Sequence, residues 1–157
     1  MALDPRLHAC RPDLADARLA DAVSAERYAE GRPHSVTAAL VDVRSAPRGD
    51  AAQTTQALMG EAVLVFEIAD GWAWCQLGRD GYVGYVPAAA LAEGTAEASH
   101  EVAVPGTFLY PAANLKTAPY TAVYMNTPLA VVETGEKWSR IADGRHVFTR
   151  HIRPFDA

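Results

Sequence analysis

Short apolar runs separated by turn residues make up most of the chain after residue 33. Met59 to Glu67 is rich in Val, Leu and Phe, Trp72 to Leu77 is an alternating run with two tryptophans, and Tyr82 to Val86 is a third β-rich run. Asp-Gly pairs ending at Gly71 and Gly81 separate the runs. Because such pairs favour tight turns, the pattern predicts three β-strands joined by two turns.

The same pattern recurs in the second half of the chain. Three pairs of residues share one offset of 66 positions (100 − 34, 125 − 59 and 138 − 72): His34 and His100, Met59 and Met125, and Trp72 and Trp138. Beyond the tryptophan the second copy is predicted to be three residues shorter, which aligns Tyr85 with Phe148. Each copy has about five short strands and no long helix, so we predict a mainly β chain with two tandem small β-barrels, at residues 33–96 and 97–157.

Alternation along the tryptophan-containing run predicts which of its side chains form the core. Every second side chain of a strand points to the same face of the sheet. This divides the run into two sets: Ala73, Cys75 and Leu77, and Trp72, Trp74 and Gln76. The repeat aligns Cys75 with Ile141, so the face that carries Cys75 is predicted to be the core face. The tryptophans then point outward, which is unusual on a small barrel unless another segment or a ligand covers them.

Residues 1–32 differ in composition from the rest of the chain. Asp13 to Glu30 is rich in Ala, Leu, Glu and Arg, which favour helices, with Asp13 as a possible N-cap and Gly31 as a stop. The apolar face of this segment is weak. We therefore predict an N-terminal arm with one or two short helices that pack against a barrel.

Composition excludes several functions. The chain has 157 residues, with 14 Lys and Arg against 19 Asp and Glu, and its net charge of −5 argues against nucleic acid as a partner. The sequence contains no run of about 18 apolar residues, so it predicts no membrane-spanning helix. The first residues are charged and lack the apolar region of a signal peptide, so we expect a cytoplasmic protein. Two cysteines and scattered histidines lack the spacing of a metal site, and no cofactor motif is present.

Four segments of the first unit carry a family resemblance: VDVRSAPRGDA (residues 41–51), GEAVLVFE (60–67), DGWAWCQL (70–77) and DGYVGYVPAAAL (80–91). They resemble a bacterial SH3 domain, with Ala46 where that family commonly has Gly. The second unit matches the pattern only loosely. Two such domains after an N-terminal arm resemble the N-terminal portion of certain NlpC/P60 cell-wall peptidases, in which a papain-like cysteine peptidase domain follows.

The resemblance implies a role for the chain. It would be the non-catalytic, substrate-gating portion of a murein-peptide endopeptidase that hydrolyses the γ-D-Glu–diamino acid bond of peptides with a free N-terminal L-Ala. Neither Cys10 nor Cys75 lies in the family's D-C-S-G-like motif, so this chain alone is not predicted to be an enzyme. Its partner would be a C-terminal NlpC/P60 catalytic domain, in cis or in trans. The alternative is a free-standing pair of SH3 domains that binds a protein or a cell-wall peptide.

The repeat also singles out candidate site residues. Glu61, Trp74 and Tyr82 of the first unit align with Thr127, Arg140 and Arg145 of the second, so the fold alone does not require them. In the resembled peptidases the first SH3 domain contributes an acidic residue and a tyrosine to the pocket for the free amino end. This implies Glu61 and Tyr82, with Tyr85 as the alternative tyrosine and Trp74 beside them. A contact with the other domain or with the N-terminal arm explains the same residues equally well.

Overall fold

The computed structural model describes residues 2–156 and is mainly β, as predicted. Residues 1 and 157, at the ends of the predicted arm and second barrel, lie outside that range. The chain forms two compact units: the segment up to Ala57 with Glu61–Thr95, and Leu58–Gly60 with the chain from Ala96 onward. The helices among the described residues are 3-10 turns of three residues each, far too short to cross a bilayer: Ala17–Leu19, Ala88–Ala90 and Thr149–His151.

The first unit is built around one open seven-stranded sheet. Its strands are β1 (Leu14–Asp16), β2 (Arg27–Ala29), β3 (Arg32–Val36), β4 (Leu40–Arg44), β5 (Gln53–Leu58), β6 (Ala62–Ala69), β7 (Trp72–Leu77), β8 (Val83–Pro87) and β9 (Leu91–Glu93). The order across the sheet is β5-β4-β8-β7-β6-β3-β9, and β1 pairs with β2 in parallel apart from it. Because β5 and β9 remain edges, the hydrogen bonding does not close a barrel.

Alternation in β7 places the core as the sequence predicts. Ala73, Cys75 and Leu77 are buried in the main apolar cluster of this unit, together with Val63 and Val65 of the neighbouring strand. Period-2 alternation on both strands brings these side chains to one face of the sheet. The predicted core position of Cys75 is confirmed.

The predicted helices over Asp13 to Glu30 are wrong. This segment forms β1, a single 3-10 turn and β2, and the turn is capped by Asp16, whose carboxylate accepts a hydrogen bond from the Arg18 amide. Leu14 and Ala15 are buried side by side, which a strand or turn allows and a solvent-facing helix with a weak apolar stripe does not. Burial of these two neighbours outweighs the helix propensity of the surrounding residues.

The second unit contains eight shorter strands. They are β10 (His100–Val102), β11 (Gly106–Leu109), β12 (Thr121–Tyr124), β13 (Pro128–Leu129), β14 (Val131–Thr134), β15 (Trp138–Ile141), β16 (His146–Phe148) and β17 (Ile152–Pro154). Hydrogen bonding orders them as β13-β10-β17, β11-β12 and β14-β15-β16. A separate apolar cluster fills this unit, with Val102, Leu109, Val123 and Val147 fully buried.

The two units pair their strands in the same register. Val36 of β3 lies opposite Leu91 of β9, and Val102 of β10 lies opposite Ile152 of β17. Both units also carry an irregularity at the same place, with Phe66 between the paired residues of β6 and Val132 between those of β14. Such a bulge adds one residue to the strand and interrupts the regular alternation of core-facing and outward-facing side chains. The repeat detected in the sequence is therefore matched by equivalent strand pairs.

Candidate functional site

The four candidate residues lie in two places on the first unit. Trp74 and Tyr85 are cross-strand partners on β7 and β8, on the face opposite the core. Glu61 precedes β6, and Tyr82 precedes β8 at the end of the β7–β8 hairpin. The hairpin end also contacts the start of β6, because the Gly78 amide donates to the Ala62 carbonyl at 2.9 Å. The structure thus groups Glu61 with the hairpin that carries Tyr82, and groups Trp74 with Tyr85.

The N-terminal arm covers Trp74. The indole is only 4% exposed and packs with Phe66 and Val83 of the sheet and with Ala9 and Leu14 of the arm. Two hydrogen bonds hold the arm along β8 and β7. The Val83 backbone amide donates to the Arg6 carbonyl, and the Gln76 side-chain amide donates to the Leu7 carbonyl. The arm contact that the sequence left open is what buries Trp74.

Arg11 of the arm closes this surface. Its guanidinium lies 4.5 Å from the centroid of the Trp74 ring, and it donates to Glu67 at 3.0 Å and to the Tyr85 hydroxyl at 3.3 Å. Two further hydrogen bonds join it to Asp13, and these bonds raise the pKa of Arg11 above its usual value. A paired cation held over an aromatic face is a stable, permanently charged contact.

A small pocket of about 250 Å³ borders this contact. Its walls come from the arm, the β4–β5 loop and strands β6 to β8: Arg11, Pro47, Glu67, Ala69, Asp70, Trp72, Trp74 and Tyr85. Arg11 already occupies the Tyr85 hydroxyl and one oxygen of Glu67. Two of the polar groups of this pocket are therefore engaged by the chain's own arm.

Glu61 is a buried carboxylate beside a largely exposed cation. The residue is 6% exposed, and its Oε2 lies 3.9 Å from Nη1 of Arg79, whose side chain is 53% exposed. Its carbonyl accepts from the Val36 amide, as the Thr127 carbonyl accepts from the Val102 amide in the second unit. The same buried position thus holds a carboxylate in one unit and a hydroxyl in the other. A buried carboxylate is costly without a charged partner, so its presence in one copy alone marks it as a candidate for binding.

Tyr82 lies at the end of a hairpin that is longer in the first unit than in the second. In the first unit Cys75 pairs with Gly84, so the hairpin spans nine positions (84 − 75). In the second unit the Ile141 amide donates to the Arg145 carbonyl, so the equivalent span is four positions (145 − 141). The turn itself repeats: the Tyr82 amide donates to the Asp80 carboxylate and the Arg145 amide to the Asp143 carboxylate, both at 3.0 Å. Arg145 therefore takes the place of Tyr82 in the turn, as the sequence predicts.

The register also corrects the alignment of Tyr85. Trp72 faces Pro87 and Trp138 faces Phe148, so Phe148 corresponds to Pro87 and not to Tyr85. Trp74 faces Tyr85 and Arg140 faces His146, which makes His146 the counterpart of Tyr85. The second unit is five residues shorter after the tryptophan, not three, because the whole difference falls in the hairpin. Tyr85 therefore joins the residues peculiar to the first unit.

The cysteines have no catalytic geometry. Cys75 is fully buried, and burial raises the pKa of its thiol to about 12, which disfavours the reactive thiolate. Burial also raises the pKa of Cys10. Within residues 2–156, no group of three or more His, Cys, Asp or Glu side chains is arranged to hold a metal ion.

Sequence reasoning missed two features. The bulge that turns Phe66 to the outer face interrupts the period-2 pattern, and only the repeat of the same bulge at Val132 could have indicated it. The sequence also does not reveal an aromatic ring cluster in the second unit, because its members are far apart along the chain: Phe108, Tyr110, Tyr120, Trp138, Phe148 and His151.

Comparison with known families identifies part of the first unit. Residues 43–91 match the model of the bacterial dipeptidyl-peptidase SH3 domain. This segment runs from β4 to the start of β9 and includes Glu61, Trp74, Tyr82 and Tyr85. The bacterial SH3 resemblance of the first unit is thereby confirmed. No curated protein matches the chain.

A solved structure of an NlpC/P60 family protein shares the fold. The chain aligns with the crystal structure of an NlpC/P60 family protein from Bacillus cereus ATCC 10987 at a TM-score of 0.63 and 17% identity, over 78% of this chain and 56% of that one. Two NlpC proteins from Trichomonas vaginalis align over 80% of this chain at a TM-score of 0.36 and 13% identity, covering 49% and 46% of theirs. The chain thus spans little more than half of the Bacillus cereus protein.

Proposed function

We propose that the chain is the non-catalytic, substrate-gating portion of an NlpC/P60 murein-peptide endopeptidase, with both units as SH3-like domains. The dipeptidyl-peptidase SH3 match over residues 43–91 and the shared fold with an NlpC/P60 protein support this proposal. The equivalent strand pairs of the second unit support a tandem arrangement. A catalytic domain, in cis or in trans, would supply the nucleophile, and the recycled peptide would be met in the cytoplasm.

The buried carboxylate of Glu61 is the observation that carries the proposal. A free N-terminal ammonium binds best to a carboxylate that is shielded from water, because the ion pair and its hydrogen bond strengthen in a less polar surrounding. Arg79 supplies the charge balance in the free chain at 3.9 Å, through a side chain that is largely exposed. Because this contact is long and the Arg79 side chain is largely exposed, its guanidinium can move into solvent when a ligand binds. The ligand's ammonium would then take the place of the Arg79 guanidinium.

Tyr82 is the better placed of the two tyrosines. Its side chain is 37% exposed at the end of the hairpin, whereas the Tyr85 hydroxyl already accepts a hydrogen bond from Arg11. A tyrosine ring can pack on the methyl group of L-Ala while its hydroxyl bonds to the peptide. Trp74 would act indirectly, by holding the arm against the sheet.

The test is binding of L-Ala-γ-D-Glu-diaminopimelate, compared with its N-acetylated form, by isothermal titration calorimetry. We expect the free amine to bind about tenfold tighter, because acetylation removes the charge that pairs with Glu61. Glu61→Gln should abolish that preference. Glu133→Gln, which removes an exposed carboxylate from the second unit, is the matched control and should retain it.

Three outcomes decide the question. Equal affinity for both peptides in the unmodified chain would favour a binding module that does not sense the amino end. A preference that survives Glu61→Gln would refute the assignment of Glu61. Absence of binding at millimolar peptide would contradict a gating role for this chain.

A further inference from the structure

The second unit presents an aromatic cluster that the first unit does not have. Tyr110 lies at its centre, with its ring centroid 5.2 Å from Trp138, 5.6 Å from Tyr120 and 6.0 Å from Phe148. Trp138 and Phe148 stack at 4.5 Å with an interplanar angle of 19°. Tyr120 and Phe108 are exposed at the edge of the cluster. Exposed aromatic side chains grouped around a rigid centre are typical of binding surfaces.

A pocket of about 630 Å³ extends from this cluster. It combines two apolar and three charged side chains: Leu115, Glu136, Lys137, Phe148 and Arg150. The Arg150 guanidinium lies 5.4 Å from the centroid of the Phe148 ring, so one cation sits directly beside the apolar wall. This volume and this mixture suit a small ligand with one apolar group and a few polar ones.

The repeat serves as an internal control for these residues. The first unit has an equivalent position for each of them. The offset is 66 positions for residues that precede the β15–β16 hairpin and 61 for residues that follow it (148 − 87). The equivalent residues are Gly49, Asp70, Gly71, Pro87 and Ala89. The first unit has equivalent strand pairs without Leu115, Lys137, Phe148 or Arg150. The fold therefore does not require them.

The cations of this pocket are free to bind an anion. Of the lysine and arginine side chains, four form no ion pair with another residue of 2–156: Arg32, Lys116, Lys137 and Arg150. Lys137 and Arg150 line the pocket, and Lys116 directly follows the lining residue Leu115 in the sequence. In a chain with a net charge of −5, this gathering of unpaired cations beside an apolar wall is a local exception.

We propose that this pocket binds an acidic peptide. An apolar side chain of the peptide would pack between Leu115 and Phe148, and its carboxylates would pair with Lys137 and Arg150. Glu136 would accept a backbone N–H of the peptide and disfavour polyanions such as nucleic acid. A neutral sugar would gain nothing from the two cations. This site lies on the second unit and does not depend on Glu61.

The experiment is titration of the full chain with acetyl-Glu-Leu-Glu, followed by NMR or calorimetry. We expect binding that weakens when salt is raised from about 0.05 M to about 0.5 M, because partly exposed ion pairs are screened. Acetyl-Lys-Leu-Lys and a neutral N-acetylglucosamine oligomer should not bind at the same concentrations. Binding of either one as tightly as the acidic peptide, or no binding of the acidic peptide at millimolar concentration, would overturn the proposal.

Charge-matched variants separate a built site from general attraction. Lys137→Gln and Arg150→Gln should each weaken binding about three- to tenfold, the usual effect of losing one partly exposed charged contact. Arg153→Gln removes the same charge from the same unit, but Arg153 is already paired with Glu101 at 2.9 Å, so affinity should stay within about twofold. An equal loss in all three variants would show attraction to net charge only and would refute the pocket.

Discussion

The outer faces of the two units start from the same strand framework and end differently. In the first unit the bulge residue Phe66 is 7% exposed and Trp74 is 4% exposed, because the N-terminal arm lies over both. In the second unit the bulge residue Val132 is 54% exposed, and Arg140 stands in the place of Trp74. The sheet supplies the positions, and the presence of a covering segment determines whether they hold buried aromatic side chains or exposed side chains.

Both outer faces nevertheless place a guanidinium near a glutamate on equivalent strands. In the first unit Arg11 reaches Glu67 from the arm at 3.0 Å. In the second unit Arg140 reaches Glu133 from the adjacent strand at 3.6 Å. The first unit thus receives this positive charge from the arm, whereas the second unit carries it on a strand of its own sheet. Because Arg11 supplies the charge, the position on β7 that is equivalent to Arg140 can hold the apolar Trp74.

The strongest way to break this comparison is to remove the covered aromatic. Trp74→Ala should lower the free energy of unfolding by about 3–5 kcal/mol, because it leaves a cavity between the sheet and the arm. Urea unfolding followed by circular dichroism measures the change without relying on tryptophan fluorescence.

Arg140→Ala is the matched control in the second unit. Its side chain is 41% exposed and forms one ion pair with an exposed glutamate, so the loss should be about 0.5 kcal/mol or less. Similar losses in the two variants would mean that the arm does not stabilise the outer face of the first unit.

The fate of β7 shows what the sequence could predict. Its alternation assigned Cys75 to the core and the tryptophans to the other face, because burial on one face leaves no freedom of register in a strand. The SH3 resemblance followed from turn and strand motifs that are local in the sequence. These are the features in which short-range pattern and tertiary structure agree.

The errors lie where tertiary contacts outweigh local preference. Asp13 to Glu30 is rich in helix formers, yet burial of Leu14 against the sheet favours a strand. The sequence predicts a second copy that is three residues shorter, whereas the strand register shows a difference of five, because an alignment of two sequences cannot locate a gap inside a glycine-rich turn. The sequence consequently aligns Tyr85 with Phe148, whereas the register makes His146 its counterpart. The roles of Glu61 and Tyr82 in binding stay predictions.

A smaller test addresses the cation that closes the covered face. Arg11→Met keeps the apolar stem and removes the ion pairs and the contact over the Trp74 ring. We expect a loss of about 1–2 kcal/mol, since the side chain is only 20% exposed and its guanidinium faces an aromatic ring. Arg140→Met should have almost no effect. An unchanged stability in the Arg11 variant would show that the arm is held by its apolar residues alone.

The smallest expected effect is a pH dependence confined to the second unit. His151 stands where the first unit has Ala90 (151 − 90 = 61), and its Nδ1 lies 2.7 Å from the Thr107 hydroxyl. Burial, and then the charge of Arg150, lower the pKa of His151 below its unfolded value near 6.5. As the pH falls through about 6.5, His151 of the unfolded chain binds a proton before His151 of the folded chain does. The free energy of unfolding therefore decreases as the pH falls, until the folded imidazole is also protonated.

Hydrogen exchange of the β10 and β17 amides, measured at about pH 8 and about pH 5 and corrected for intrinsic exchange rates, reports this change in the second unit. His151→Gln should flatten the dependence, and Arg150→Gln should reduce it, because each removes one side of the unfavourable interaction. The Ala103 amide, which donates to the His151 carbonyl at 2.8 Å, is the nearest reporter. If the protection of these amides falls equally with pH in the parent chain and in His151→Gln, another titrating group causes the pH dependence. The replacement of Ala90 by His151 would then not give the second unit a pH dependence of its own.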